Sequence, residues 1–305
     1  MRPDLTVNIA GLKLRNPTMV SSGVLGLSGL SLSRVWDAGV GAVVSKSLGL
    51  QSRKGYSNPT IVDVGCGVLN AMGLPNPGVK DYVNEIKIAK SNGVKVIIGS
   101  IYGGSPKEFS EAAKIIEASG VNAVELNLSC PNVEDVGLEI GQDPNLVGAV
   151  VNAVKQSIRL PVFAKLTPNI SNIKVLAKAA EDAGIDGVVA INTVRAMAID
   201  IDTGRPLLSN KIGGLSGPAI KPIAVRCVYE IAKTVEVPII GCGGIMNWKD
   251  VVEFLLAGAS AVQIGTAIAY KNFAVFGEVL KGVEQCLVKN GYSNIDDVVG
   301  LSHKY

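Results

Sequence analysis

Two lysines, one cysteine and four asparagines stand at or near the ends of short apolar runs, and they are the residues best able to do chemistry in this chain. Lys46 closes the run at residues 42–46, and Lys165 lies within the run at residues 162–166. A buried ammonium is costly unless it meets an anion or a polarised ligand. Two such lysines therefore suit anion binding or a Schiff base, although a lysine that snorkels to solvent does neither. Cys130 sits in Asn127-Leu128-Ser129-Cys130-Pro131-Asn132, a polar, proline-bearing setting that suits an exposed loop better than a core. The chain has a single histidine, His303. Cys–His nucleophilic catalysis thus lacks a partner, and a thiolate acting as general base fits better. Asn70, Asn127, Asn132 and Asn192 each offer a donor and an acceptor, as a flat heterocycle with alternating carbonyl and N–H edges requires. No His cluster and no paired Cys or Asp/Glu spacing suggests a metal site. The other cysteines, Cys66, Cys227, Cys242 and Cys286, are expected to be small buried hydrophobes.

The elements that must position these groups are short β-branched runs with helical stretches between them. Candidate strands cover residues 17–21, 42–46, 94–100, 123–128, 162–166, 187–191, 237–241 and 261–264. Their near-continuous apolar character is that of parallel strands buried on both faces. Amphipathic helical patterns fall at 106–119, 172–183, 220–234 and 248–257, and Gly120, Gly184 and Gly258 follow three of them as helix stops. Eight βα units predict an α/β protein, a (β/α)8 TIM barrel formed as one domain over residues 1–305. A doubly wound sheet is the structural rival. However, Gly23, Gly26 and Gly29 after the first strand match its phosphate fingerprint poorly. The stronger glycine signals, Gly241-Cys242-Gly243-Gly244 and Gly265-Thr266, follow strands seven and eight, where barrels bind phosphate. A plain barrel needs about 250 residues. The surplus falls at 47–92 and 192–218, both after strands and so both on the C-terminal face. Residues 5–9 and 12–14 predict an N-terminal β-hairpin closing the barrel bottom.

Composition narrows the function classes. The 305 residues are 48% hydrophobic and 18% charged, which excludes a disordered chain. A net charge of +3 argues against a nucleic-acid or acidic-membrane surface. Mean hydropathy is +0.34. The long uncharged stretches at 16–33 and 254–270 are nevertheless broken by glycine and polar residues, so neither reads as a membrane span. An odd number of cysteines without a C-x-x-C pair, and no signal-peptide pattern, predict a cytoplasmic protein with reduced thiols.

Taken together the motifs resemble the class 1 dihydroorotate dehydrogenases, FMN-containing (β/α)8 barrels of pyrimidine synthesis. The likeness runs through Ser21-Ser22-Gly23, Lys46-Ser47, Leu69-Asn70-Ala71-Met72-Gly73-Leu74-Pro75-Asn76-Pro77-Gly78 and the stretch 127–132. It continues through Lys165-Leu166-Thr167-Pro168-Asn169, Ile191-Asn192-Thr193, Gly213-Gly214-Leu215-Ser216-Gly217-Pro218, the stretch 241–245 and Gly265-Thr266. The Cys130 segment and residues 212–222 look most like class 1B. The chain departs from the family pattern at Val20-Ser21, at Ser47 and at Val133-Glu134-Asp135-Val136, where a basic, Gly-rich turn is usual.

The resemblance implies oxidation of dihydroorotate to orotate, with Cys130 taking the C5 proton as hydride leaves C6 for N5 of FMN. It pairs Lys46 with Cys130 in the catalytic set and implies that Lys46, Asn70, Ala71, Met72, Gly73, Leu74, Asn127, Asn192 and Thr193 hold the substrate. Lys165 would lie against the flavin N1/O2 edge. Ser22, Lys46, Ser47, Ser100, Asn127, Ile191 and Gly217 would line FMN, and Gly243, Gly244, Gly265 and Thr266 would hold its phosphate. Only the phosphate role also follows from loop position. Class 1B further implies an electron-transfer subunit carrying FAD and an iron–sulfur cluster, with NAD as final acceptor, and a homodimer core of a heterotetramer; the sequence itself leaves fumarate or another soluble acceptor open. Family members that use membrane quinones carry Ser in place of the thiol. Rival readings are a dihydropyrimidine dehydrogenase-like reductase of uracil or thymine, a Schiff-base barrel lyase, and a non-catalytic metabolite-binding barrel.

Overall fold

A computed structural model describes residues 2–129 and 140–305. The chain opens with an antiparallel hairpin, β1 (Val7–Ile9) and β2 (Leu12–Leu14), which leads into the N-terminal end of β3 (Thr18–Val20). There follow α1 (Gly29–Asp37), β4 (Ala42–Val44), β5 (Ile61–Asp63), β6 (Val68–Asn70), α2 (Val79–Ser91), β7 (Ile97–Ile101), α3 (Pro106–Ala118) and β8 (Ala123–Asn127). Beyond residue 139 come α4 (Pro144–Lys155), β9 (Val162–Leu166), α5 (Ile173–Asp182), β10 (Gly187–Ala190), β11 (Val194–Ala196), β12 (Gly213–Ser216) and α6 (Lys221–Ala232). The chain ends with β13 (Ile239–Cys242), α7 (Trp248–Leu256), β14 (Ala261–Ile264), α8 (Ala267–Lys271) and α9 (Ala274–Asn290).

Eight strands close into a parallel barrel in chain order, β3-β4-β7-β8-β9-β10-β13-β14, with β14 pairing back onto β3. All eight expected strands are present, most of them a residue or more shorter than their apolar runs. The runs overshoot because burial continues into the adjoining turns, where ladder pairing has stopped. The four expected helices are present within one or two residues. Gly120, Gly184 and Gly258 have φ of +88°, +88° and +113°, as helix stops require. Local capping explains the starts: Ser105 accepts the Glu108 amide at the head of α3 with Pro106 in the first turn, and Asn172 accepts the Lys174 amide at the head of α5.

The two insertions were expected on the C-terminal face. Their pairing with each other was not. They form a four-stranded antiparallel sheet in the order β11-β12-β6-β5. Leu69, Ala71 and Leu208 make a small second core there, with Val62, Val64, Ala196, Ala198 and Leu215 packed around it. That apolar set holds the sheet over one side of the barrel mouth. Among the described residues no helix is long and apolar enough to cross a membrane.

Candidate active site

The C-terminal strand ends and the insertion sheet enclose a cavity of about 1040 Å3. Seven of the eight strands place residues through their ends, β7 being the exception: Ser22 after β3, Lys46 and Ser47 after β4, Asn127 on β8, Lys165 on β9, and Ile191, Asn192 and Thr193 after β10. Gly243 and Gly244 follow β13, and Gly265 and Thr266 follow β14. The insertions contribute Asn70, Ala71, Met72, Gly73 and Leu74 from one side and Gly217 from the other. So nearly all the expected site residues share one cavity wall. Ser100 does not reach it. It is fully buried, 3.0 Å behind Ser47. Cys130 and Asn132 lie outside the described residues.

The loop at 70–78 is held by Asn76. Its side-chain oxygen accepts the Gly49 and Gly78 amides, while its Nδ2 donates to the Leu74 carbonyl and the Tyr102 hydroxyl. Gly73 at φ +70° is forced to be glycine, because a Cβ there would stand 2.7 Å from the Tyr56 backbone nitrogen. Asn70 donates to the Gly214 carbonyl at 3.1 Å, so the amide is aimed by the neighbouring strand. Asn127 and Asn192 are joined at 3.2 Å across the floor.

The two lysines differ in their electrostatics. Lys46 is buried, 8% exposed, and makes no ion pair with any described residue. Burial pushes its ammonium below the usual range. Lys165 is also buried, but it donates to Gln263 Oε1 at 2.9 Å and lies 3.9 Å from a Glu125 carboxylate oxygen. Burial alone would lower its pKa. The Glu125 charge, and to a lesser degree Cys242, outweigh that and hold it above its ordinary value. Lys165 is therefore a paired cation, and Lys46 is a buried ammonium without a carboxylate partner among the described residues.

Glu125 and Gln263, both essentially inaccessible, were missed in the sequence reading. The available signal was a carboxylate and an amide inside otherwise apolar strands, Ala-Val-Glu-Leu-Asn and Ala-Val-Gln-Ile, which burial forbids unless they are partnered. One cysteine expectation also fails. Cys66 is exposed, in the turn between β5 and β6, whereas Cys227 is buried and Cys242 and Cys286 are partly so. A turn between two strands on the rim has no core to enter. His303 is not in the cavity wall; it stacks on Tyr229 at 4.3 Å and bonds the Ala257 carbonyl.

The end of the cavity under β13 and β14 has the shape of a backbone cradle. β13 and β14 pair side by side, which brings their Gly-rich ends together. A Cβ at Gly244 would lie 2.7 Å from the Lys221 nitrogen, and one at Gly265 would lie 2.5 Å from the Ser21 hydroxyl oxygen. The Lys221 ammonium itself is spent on Asp250 at 2.9 Å and Glu253 at 2.7 Å. Main-chain N–H groups are thus left as the donors for an anion there.

A family model described as dihydroorotate dehydrogenase matches residues 4–287. The chain belongs to the dihydroorotate dehydrogenase family. It is 52% identical over 300 residues to the dihydroorotate dehydrogenase B (NAD(+)) catalytic subunit of Pyrococcus furiosus, covering 98% of this chain and 99% of that one. It is 49% identical over 298 residues to the protein of the same name from Methanosarcina acetivorans, covering 97% and 96%. Dihydroorotate dehydrogenases of this kind are FMN-binding oxidoreductases of pyrimidine biosynthesis. The cavity suits that cofactor: a glycine cradle stands at one end, and a fixed ammonium, Lys165, reaches the wall.

Proposed function

We propose that this chain is the catalytic subunit that oxidises (S)-dihydroorotate to orotate, with Cys130 as the base for C5. The observation that carries this reading is Lys46, a buried ammonium without an ion pair among the described residues, facing the cavity beside Asn127. A substrate carboxylate supplies the missing anion, and the Asn70, Asn127 and Asn192 amides match a pyrimidine ring edge. The FMN, when bound, supplies the acceptor for the hydride from C6. The protein's own part is to orient the ring, hold its carboxylate, remove one proton and keep a positive charge at Lys165. A thiol with an ordinary pKa near about 8.5 is a serviceable base close to neutral pH. We assign Ser22, Ser47, Ile191 and Gly217 to the flavin wall and Gly243, Gly244, Gly265 and Thr266 to its phosphate.

The relatives are named as catalytic subunits of an NAD(+) enzyme, so a second subunit is part of this proposal. It would carry FAD and an iron–sulfur cluster and pass electrons to NAD, on a homodimer core, in the cytoplasm.

Anaerobic titration tests the proposal. Dihydroorotate should bleach the flavin absorbance of the purified protein, whereas dihydrouracil should not. Bleaching by dihydrouracil would transfer the assignment to uracil or thymine reduction. Flavin that stays oxidised with both would leave a binding barrel, and a borohydride-trapped lysine adduct in flavin-free protein would make it a lyase.

A further inference from the structure

Behind the cavity wall, Ser100, Glu125 and Gln263 join Ser22, Ser47 and Lys165 into one connected polar system. Ser22 and Ser47 oxygens are 2.9 Å apart, Ser47 and Ser100 are 3.0 Å apart, and Ser100 lies 3.3 Å from Glu125 Oε1. The other carboxylate oxygen accepts from Gln263 Nε2 at 2.5 Å, and Gln263 Oε1 accepts from Lys165 at 2.9 Å. We infer that Glu125 is the positioning residue that sets the direction of the serine hydrogen bonds, through Ser100 to the cavity wall, and of the amide bond through Gln263 to Lys165.

The argument is one of donor counting. A carboxylate accepts only, so Ser100 must give its single hydroxyl hydrogen to Glu125. Ser47 must then donate to Ser100, and Ser22 to Ser47. The remaining acceptor position of Ser47 takes Asn127 Nδ2 at 3.2 Å. That amide's orientation is independently fixed, since Asn127 Oδ1 accepts the Ser129 backbone N–H and Asn192 Nδ2. Asn192 is fixed in turn by the Thr193 N–H on its oxygen at 2.8 Å. The directions agree around the whole system. Ser22 therefore meets the cavity's occupant as an acceptor, and Asn127 and Asn192 each keep one N–H for it.

On the other branch the same carboxylate fixes the Gln263 amide. With Nε2 donating to Glu125, Oε1 must face Lys165, which leaves the other ammonium hydrogens free of Gln263. A neutral, isosteric Glu125→Gln change cannot keep all these directions. If the new amide offers its oxygen to Ser100, its NH2 meets the Gln263 NH2, and one buried donor faces another. If Gln263 then turns over, its NH2 meets the Lys165 ammonium instead. If the new amide turns its NH2 to Ser100, the serine chain must reverse, and Ser22 meets the cavity's occupant as a donor. The double variant Glu125→Gln with Gln263→Glu removes the conflict. The amide at position 125 gives its oxygen to Ser100 and donates to the carboxylate at position 263, which also accepts from Lys165. Only the bond between positions 125 and 263 then reverses; the serine chain and the Lys165 contact keep their wild-type directions.

The inference rests on the FMN reading of the cavity, and its test separates the two. FMN affinity of apoprotein and the midpoint potential of bound FMN are measured for wild type, E125Q and the E125Q/Q263E pair. E125Q should bind FMN about tenfold or more weakly, with a shifted potential, and the pair should recover most of both. Wild-type affinity and potential in E125Q, or a pair no better than E125Q, would overturn the role of Glu125. Wild-type protein that takes up no FMN would instead overturn the FMN reading. Should E125Q fail to fold, recovery of folding and FMN binding in the pair supports the inference, and a pair that also fails to fold refutes it.

Discussion

Asn70 and Gly214 stand 144 residues apart in sequence, yet they are register partners across β6 and β12, with the Asn70 side chain donating to the Gly214 carbonyl at 3.1 Å. This contact welds the two insertions into one wall and aims an amide at the cavity. Neither insertion alone could hold that side chain still, because a lone hairpin is marginal without a packed face.

Gly214 should therefore tolerate no side chain. A Cβ there would sit 2.1 Å from Thr193 Oγ1. Gly214→Ala is expected to raise the KM for dihydroorotate about tenfold and to cost about 1–3 kcal/mol in stability through overpacking. FMN content should be retained, since the clash lies at Thr193, on the side proposed for the substrate. Steady-state kinetics with thermal melts checks this; an unchanged KM would show that Thr193 yields freely.

Lys46 carries a charge that folding disfavours and an anion needs. Lys46→Met should stabilise the ligand-free protein while weakening orotate binding about 10–100-fold. The pH dependence has a definite sign. Burial lowers the folded pKa below the ordinary 10.5, so between those two values the unfolded chain binds more protons and wild-type stability rises with pH. Below the folded pKa the destabilisation is fully present. Denaturant melts across alkaline pH should show this rise in wild type and lose it in Lys46→Met. Orotate affinity should fall over the same range as the ammonium deprotonates.

Removing the proposed base should leave the cofactor in place. Cys130→Ala is expected to keep FMN and slow its reduction by dihydroorotate about 10^2–10^4-fold. Cys130→Ser should be slow at neutral pH and partly recover as pH rises, because a hydroxyl ionises less readily than a thiol. Stopped-flow reduction under anaerobic conditions reads both, and near-wild-type rates in Cys130→Ala would remove the residue from the mechanism.

In the glycine cradle proposed for the phosphate, Gly244 adopts φ +74° with Lys221 packed against it. Gly244→Ala faces about 1–2 kcal/mol of left-handed strain plus that collision. The purified variant should carry markedly less FMN per protein than wild type, by absorbance ratio. A full complement would mean the cradle has slack.

Much of this protein is legible in local sequence. The apolar runs at residues 162–166 and 261–264 are strands with those very bounds, and Gly120, Gly184 and Gly258 stop helices as expected. The glycines after β13 and β14 could be placed together at one end of the cavity because position within a βα unit is itself local information. Lys46 and Lys165 could likewise be singled out as costly charges at strand ends. Their different fates could not. Lys165 finds Gln263 at a separation of 98 residues, and Gln263 finds Glu125 at 138, while Lys46 finds no counter-ion among the described residues. Pattern and propensity act over one or two turns of chain, so they set which elements form and which face is buried. The partner of a buried polar group depends on how the barrel closes and on which strands its shear brings level. That closure makes one lysine a fixed cation and leaves the other ready for an anion.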